Sequence, residues 1–239
     1  MTNVSQHLPT PFGLLVVDKR EGFTSMDVCA IIRARLRRGG APKRIKVGHA
    51  GTLDPLATGV LVVLVGKATR AVGELMATEK EYSATVDLSR TSTSDDLGGE
   101  VSNVQIEAVP DRETVEHALE AFHGDIMQLP PQFSAMKVGG ERAYKLAREG
   151  THAPLAPRPV RIHAINMTSY HWPLAEIHVR CGKGVYIRSL ARDLGKSLRC
   201  GGLLASLRRT RVGAYEIGMA RTLDQLPQVL TQEHLAPLP

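Results

Sequence analysis

Aromatic side chains make up only 4% of this 239-residue chain, so its core has to be built from Leu, Val, Ile and Ala rather than from rings. Cysteine is equally sparse. Cys29, Cys181 and Cys200 are odd in number and lack a C-x-x-C pair, which argues against both a disulfide framework and a zinc ribbon. Free thiols suit a reducing compartment, and a cytoplasmic location is expected. The longest apolar run, VLVVLV at 60–65, falls far short of the roughly 18 residues a membrane helix needs. The first fifteen residues carry no basic leader, so neither a targeting segment nor a membrane partner is expected. Nine histidines form no H-E-x-x-H pattern and no cluster with Cys, so no metal site is predicted. The Gly-Lys pair of VGKATR (65–70) is not a P-loop, because Leu61 and Ala68 occupy its first Gly and its Ser/Thr positions. No G-x-S-x-G elbow occurs.

What the chain has instead is basic charge with an uneven distribution. Apolar residues account for 43%, charged residues for 23%, and the formal charge is +6 with a pI near 9.4. That composition is globular, and the excess charge admits an anionic partner. Between Asp27 and Asp54 there is no acid, while Arg33, Arg35, Arg37, Arg38, Lys43, Arg44 and Lys46 all fall there. A solvated basic helix end is the plain reading of such a run. A lone carboxylate at its end, in VGHAGTLDPLATGVLVV (47–63), raises a sharper one.

Hydrophobic period places the elements around it. FGLLVVDK (12–19) reads as a buried strand. Residues 24–38 read as a helix that Thr24 or Ser25 caps, with an apolar stripe of Val28, Ile31, Ile32 and Leu36, ending at GGAP. Gly48, Gly51, Pro55 and Gly59 break any period across 43–58, so that stretch is predicted as a loop carrying Asp54. A second buried strand follows at 60–66, then a helix from Lys67 to Glu79 and a strand at 80–88. SRTSTSDDLGGE reads as turn chemistry, 111–123 as a helix, and 128–150 as a Pro-rich loop closing in a short helix with Tyr144 and Arg148. Strands are expected at 158–169 and 175–181, a helix over VYIRSLARDLGKSL, and a final strand RVGAYEI after LASLRRT. Strands and helices mix without regular alternation. The fold class is therefore α+β, with a mixed, mostly antiparallel sheet flanked by helices.

A carboxylate beside fixed cations keeps its charge, which suits a nucleophile or an electrostatic stabiliser better than a general acid. Lys and Arg around Asp54 would dock a polyanionic backbone and bring it to that group. The alternative is that Asp54-Pro55 merely starts a turn. A second cluster, CGKGVYIRSLARDLG (181–195), puts Lys183, Tyr186 and Arg188 at a strand-to-helix junction, where Gly182 and Gly184 allow close backbone approach. Arg188 could pair a carboxylate through two hydrogen bonds, and Asp54 is the carboxylate considered for it.

In this order, these segments resemble the TruB family of pseudouridine synthases, from about residue 12 to residue 216. GHAGTLDPLATGVL matches the family's catalytic motif almost letter for letter, and KEYSA, TSD at 93–95, PPQFSAMK, ERAYKLAREG, CGKGVYIRSLARDLG and LRRT follow as further landmarks. The resemblance implies the pseudouridine synthase catalytic fold and isomerisation of a tRNA T-loop uridine to pseudouridine, without a cofactor or a metal. It implies that Asp54 is the essential aspartate, that Tyr82 stacks on the target base, and that Arg188 pairs with Asp54 while Asp95 completes the charged network. Attack on the base, attack on the sugar and removal of the C2′ proton all remain open for Asp54. His49 would fill the space left when the uridine flips out. Leu207 would line the pocket with Lys183 and Tyr186, and Lys19 and Gly22 would support it.

The same resemblance assigns the RNA backbone to Arg37, Arg38, Lys43, Arg44, Lys46, Lys137 and Tyr144. The partner is the tRNA T-arm, and a monomer is expected. One catalytic domain over 1–239 is expected, with an insertion at 125–157 that closes over the RNA and no full C-terminal RNA-binding (PUA-like) domain, since the chain stops soon after LRRT. Arg20 stands where the family usually has Pro, and Phe133 where it often has Tyr. Two other readings use the same residues: a tRNA-folding chaperone without chemistry, and an RNA N-glycosidic hydrolase.

Overall fold

An apolar run with no polar alternation, such as 60–65, suits a strand covered on both faces, and in the computed structural model Val60 to Val65 form part of a strand and have no exposed surface. The structure describes residues 10–134, 136–151 and 153–238. In chain order the first elements are β1 (Gly13–Lys19), α1 (Ser25–Arg38), β2 (Val47–His49), β3 (Thr58–Val65), a 3₁₀ turn (Gly66–Ala71) and α2 (Val72–Ala77). Next come β4 (Lys80–Asp87), β5 (Arg90–Ser92), β6 (Val101–Asn103), α3 (Arg112–Glu120), β7 (Gly124–Gln128), β8 (Lys137–Val138), β9 (Glu141–Arg142) and α4 (Ala143–Arg148). The chain closes with β10 (Arg158–His171), β11 (Leu174–Cys181), α5 (Ile187–Ser197), β12 (Leu203–Val212) and β13 (Tyr215–Glu216). The fold is α+β with a mostly antiparallel sheet, as the mixed element order predicts. Among the described residues no helix is long and apolar enough to cross a membrane, and no group of three His, Cys, Asp or Glu is placed to hold a metal.

Two compact units make up the chain: the described residues up to Thr78 together with those from Arg209 on, and residues 79–208. The boundary at 208/209 falls inside β12, so one strand contributes to both. In the first unit β1 and β3 pair antiparallel from Gly13↔Val65 to Lys19↔Gly59, and β2 pairs the other flank of β3 from Val47↔Val65 to His49↔Val63. Leu14, Ala50, Val60, Val62, Leu64, Ala68 and Val212 form its apolar cluster. Helix α1 is capped by Thr24, whose hydroxyl accepts from the Asp27 amide while the Asp27 carboxylate accepts from the Thr24 amide. Val28, Ile32 and Leu36 of its stripe are buried.

In the second unit β4, β11, β10 and β7 are antiparallel neighbours in that order. Lys80, Tyr82, Ala84 and Val86 alternate inward along β4, the period of two expected for one buried face. The insertion expected at 125–157 lies within this unit and holds α4 and the small β8–β9 hairpin.

Four local readings need correction. The predicted 43–58 loop contains β2, because pairing with β3 can order a Gly-containing segment that shows no period of its own. The turn at 89–100 is a hairpin, β5 against β6. The helix expected from Lys67 starts as a 3₁₀ turn. RVGAYEI is not one strand: Arg211 and Val212 end β12, Gly213 turns at φ 55°, and only Tyr215–Glu216 pair back. The three thiols are buried, and burial pushes Cys29, Cys181 and Cys200 up to about 11, 12 and 11, which leaves them protonated and inert at neutral pH.

Gly59 shows how tightly the strand following the Asp54 loop is packed. Its φ is +99°, and a Cβ there would stand 2.2 Å from the Arg209 carbonyl oxygen. Gly59→Ala should therefore cost about 2 kcal/mol or more. Gly73→Ala, in an exposed position of α2 with open space around it, should be neutral or stabilising by up to about 1 kcal/mol. Thermal melting of the two variants side by side checks the difference.

Candidate active site

The loop that carries Asp54 is held at the carbonyl of every residue from Gly51 to Pro55. Arg209, 1% exposed, donates from Nη2 to Gly51 O (3.0 Å) and from Nη1 to Thr52 O (3.3 Å). Ser25, at the start of α1, donates to Leu53 O (3.0 Å) and accepts from the Leu53 amide (2.8 Å). The Asp54 carbonyl accepts from the Ala57 amide, and the Pro55 carbonyl from the Gly22 amide at 2.9 Å and from Lys19 Nζ at 3.4 Å. Gly22 reaches Pro55 from a left-handed φ of 83°, a conformation its lack of a side chain permits. The carboxylate of Asp54 is half-buried.

Lys19 has no exposed surface, and its ammonium also donates to Arg20 O (3.0 Å) and Phe23 O (2.7 Å). Burial lowers its pKa from 10.5 to about 8, opposed by the negative charge of Asp54 and assisted by the positive charge of Arg209. His49, half-buried at the end of β2, is also pushed below the ordinary imidazole value, first by burial and then by Arg209. It is a neutral ring at pH 7.

The basic run divides by helical position. Arg35 follows Val28 and Ile32 on the inward face of α1; it is 6% exposed and donates to Leu223 O (2.6 Å) and Leu226 O (2.9 Å). Arg33 donates to Val47 O. These two are anchors. Arg37, Arg38, Lys43, Arg44 and Lys46 are exposed. Arg44 and Lys46 share a cavity of about 280 Å³ with Lys67 and Arg70, and among the described residues no acid lines it.

In the second unit Tyr82 is buried on β4 opposite Val179, and Leu207 is buried on β12. Arg188, 5% exposed, opens α5; it donates to Ser94 O (3.1 Å) and Phe133 O (3.0 Å) and pairs with the Asp96 carboxylate at 3.5 Å. Asp95, named from the sequence for that network, forms an ion pair with Arg192 at 2.9 Å and also feels the charge of Arg188. Asp95 sits at φ +61°, and the consecutive carboxylates of Asp95 and Asp96 pair with Arg192 and Arg188 respectively, which lie one turn apart on α5. Burial raises the pKa of Asp95, and Arg192 and Arg188 oppose that rise. Tyr186 is half-buried, its amide and carbonyl both bonded by the Gln128 side chain, while Arg158 lies 5.1 Å from its ring. Lys183 is exposed and Tyr144 half-buried. The side chain of Lys137 lies outside the described residues.

Sequence reasoning missed Arg209, Asp96, Arg192 and Gln128. For Arg209 a signal existed: LRRT continues a buried strand, so one of its two adjacent arginines had to face inward. Asp96 and Gln128 gave none, because their partners are remote in the chain.

Residues 38–187 match the family model described as TruB family pseudouridylate synthase (N terminal domain), and residues 188–237 match one described as tRNA pseudouridylate synthase B C-terminal domain. The chain is 47% identical over 232 residues to the tRNA pseudouridine synthase B of Thermobifida fusca, covering 94% of this chain and 77% of that one. It is 45% identical over 231 residues to the protein of that name from Streptomyces coelicolor, covering 93% and 75%. Among solved structures it is similar to a chain of a Cbf5-Nop10-Gar1 complex, with a TM-score of 0.65 and 30% identity over 86% of this chain. It spans half the length of that solved chain.

The electrostatics of the Lys19 site can be titrated. A lysine whose folded pKa is about 8 and whose unfolded value is 10.5 binds fewer protons in the folded state across that window. Its contribution to stability therefore rises with pH from about 8 to 10.5, and is lost as pH falls through 8. NMR of the Lys19 side chain should give a midpoint near 8. Asp54→Asn should move that midpoint lower still, because the charge that supports the ammonium is gone.

Proposed function

Because this chain belongs to the TruB family of pseudouridine synthases, we propose that it isomerises the uridine of the tRNA T-loop, with Asp54 as the group on which the chemistry depends. As a tRNA pseudouridine synthase of that family the protein is an isomerase. The observation that carries the finer reading is the immobilised loop: carbonyls on both sides of Asp54 are held by buried donors, and its side chain is half-buried. A reacting carboxylate has to be held in this way, since its rate depends on orientation.

In this reading the uridine is flipped out of the folded T-loop, and His49, neutral and half-buried, fills the vacated space as an uncharged ring. The C1′–N1 bond breaks, the uracil rotates, and C1′ joins C5; the C5 proton goes to solvent and N1 takes one up. Mass and oxidation state are conserved, so no cofactor is consumed. Tyr82 supplies a stacking face, Arg188 a buried positive charge, and Leu207 an apolar wall. Lys183, Tyr186, Tyr144 and Lys137 contact the T-arm, and 125–157 closes over it. Arg37, Arg38, Lys43, Arg44 and Lys46 hold the phosphates. The protein works as a monomer in the cytoplasm.

The test uses an unmodified T-arm RNA tritiated at C5 of its uridines. The native protein should release tritium to water with the RNA mass unchanged, and Asp54→Asn should bind the RNA without release. Release of free uracil would mean hydrolysis, and binding without release by the native protein would mean a chaperone. Affinity should also fall steeply with salt, with a log–log slope of about 0.7–0.9 per phosphate contacted. Arg44→Ala with Lys46→Ala should flatten that slope by about two units; an unchanged slope would remove the two from the RNA surface.

A further inference from the structure

The guanidinium of Arg209 bridges the two ends of the Asp54 loop. It bonds Gly51 O and Thr52 O before Asp54, and through Nε it bonds Val60 O (2.8 Å) in β3 after it. Residues 53–59 therefore leave and return to the same side chain. Val60 is itself fully buried in a strand paired to β1, so the fork is referenced to a rigid element. The Arg209 backbone closes the other side, since Gly59 passes it with no room for a Cβ.

Burying a guanidinium against carbonyls is costly, and an apolar side chain would fill the space without that cost. Its charge also weighs on its neighbours, acting against protonation of both Lys19 and His49. A residue kept on packing grounds alone would not need the charge. What a planar fork provides, and an apolar side chain does not, is a fixed direction for two successive carbonyls. Fixing the peptides at 51 and 52 sets the direction in which the Asp54 side chain leaves the loop.

We propose that Arg209 is a positioning residue for Asp54, acting through the backbone of Gly51 and Thr52. The inference rests on the reading of Asp54 as the catalytic carboxylate.

The experiment is single-turnover tritium release from the C5-tritiated T-arm RNA with saturating protein, alongside RNA binding, for Arg209→Met, Arg209→Lys and Asp54→Asn. Amplitude reports the folded fraction; the rate constant reports the orientation of the reacting group. Arg209→Met should lower the rate constant about 100-fold, the scale of a misplacement near 1 Å, with RNA affinity kept within about twofold. Arg209→Lys, which restores the charge but not the fork, should recover part of that loss. A reduced amplitude with an unchanged rate constant would make Arg209 structural only and overturn the proposal. If Arg209→Met does not fold, a native rate constant in Arg209→Lys overturns it equally. Activity in Asp54→Asn would instead sink the underlying reading, whatever the Arg209 variants do.

Discussion

Five consecutive peptide carbonyls, from Gly51 to Pro55, each accept a hydrogen bond, and three of the donors are the side chains of Lys19, Ser25 and Arg209, all at most 2% exposed. That constraint organises the first unit. It ties the end of β1, the first residue of α1 and the last part of β12 to one short loop. A loop anchored by buried donors cannot shift without leaving those donors unpaired, and each unpaired group would cost about 1–3 kcal/mol. Rigidity at Asp54 is thus enforced by the penalty for breaking the network more than by the strength of any single bond.

Two of those donors are cationic, and the polarity has consequences for chemistry. Lys19 and Arg209 repel each other, and Asp54 is among the charges that offset the repulsion at Lys19. The second unit uses the same principle with different groups. Arg188 is oriented by the Ser94 and Phe133 carbonyls and by Asp96, whose carboxylate is in turn held by the Ser94 hydroxyl at 2.5 Å and the Gly98 amide at 2.9 Å. Gln128, 1% exposed, binds both the amide and the carbonyl of Tyr186 and so seats the strand-to-helix junction ahead of Arg188. Asp54 sits on irregular backbone and Arg188 at a helix start, and in each case buried side chains hold the surrounding backbone in place.

Legibility followed the range of the interaction. The long strands at 13–19 and 58–65, helix α1 with its Thr24 cap, and the loop position of Asp54 were readable because period, cap and breakers act within a few residues. Strand β2 was not, since its ordering comes from β3 and its own residues carry no pattern. The hairpin of β5 and β6 hid in turn-rich sequence for the same reason. Adjacent Asp95 and Asp96 could not be told apart, because the arginine each one meets lies on α5, remote in the chain.

By itself the sequence determined the kinship, the α+β class, a lone acid on a loop beside a basic run, and the apolar stripes that become the core. All of these are written in local order, where chemistry and spacing act between near neighbours. Tertiary structure alone decided that Arg35 turns inward to cap carbonyls almost two hundred residues away while its neighbours Arg37 and Arg38 face solvent. It also decided that Lys19 is buried enough to titrate near 8, and that Arg209 rather than Arg208 closes the Asp54 loop. The physical reason is common to all three: a buried charge takes its energy from the groups packed around it, and those groups are assembled by the fold from distant parts of the chain.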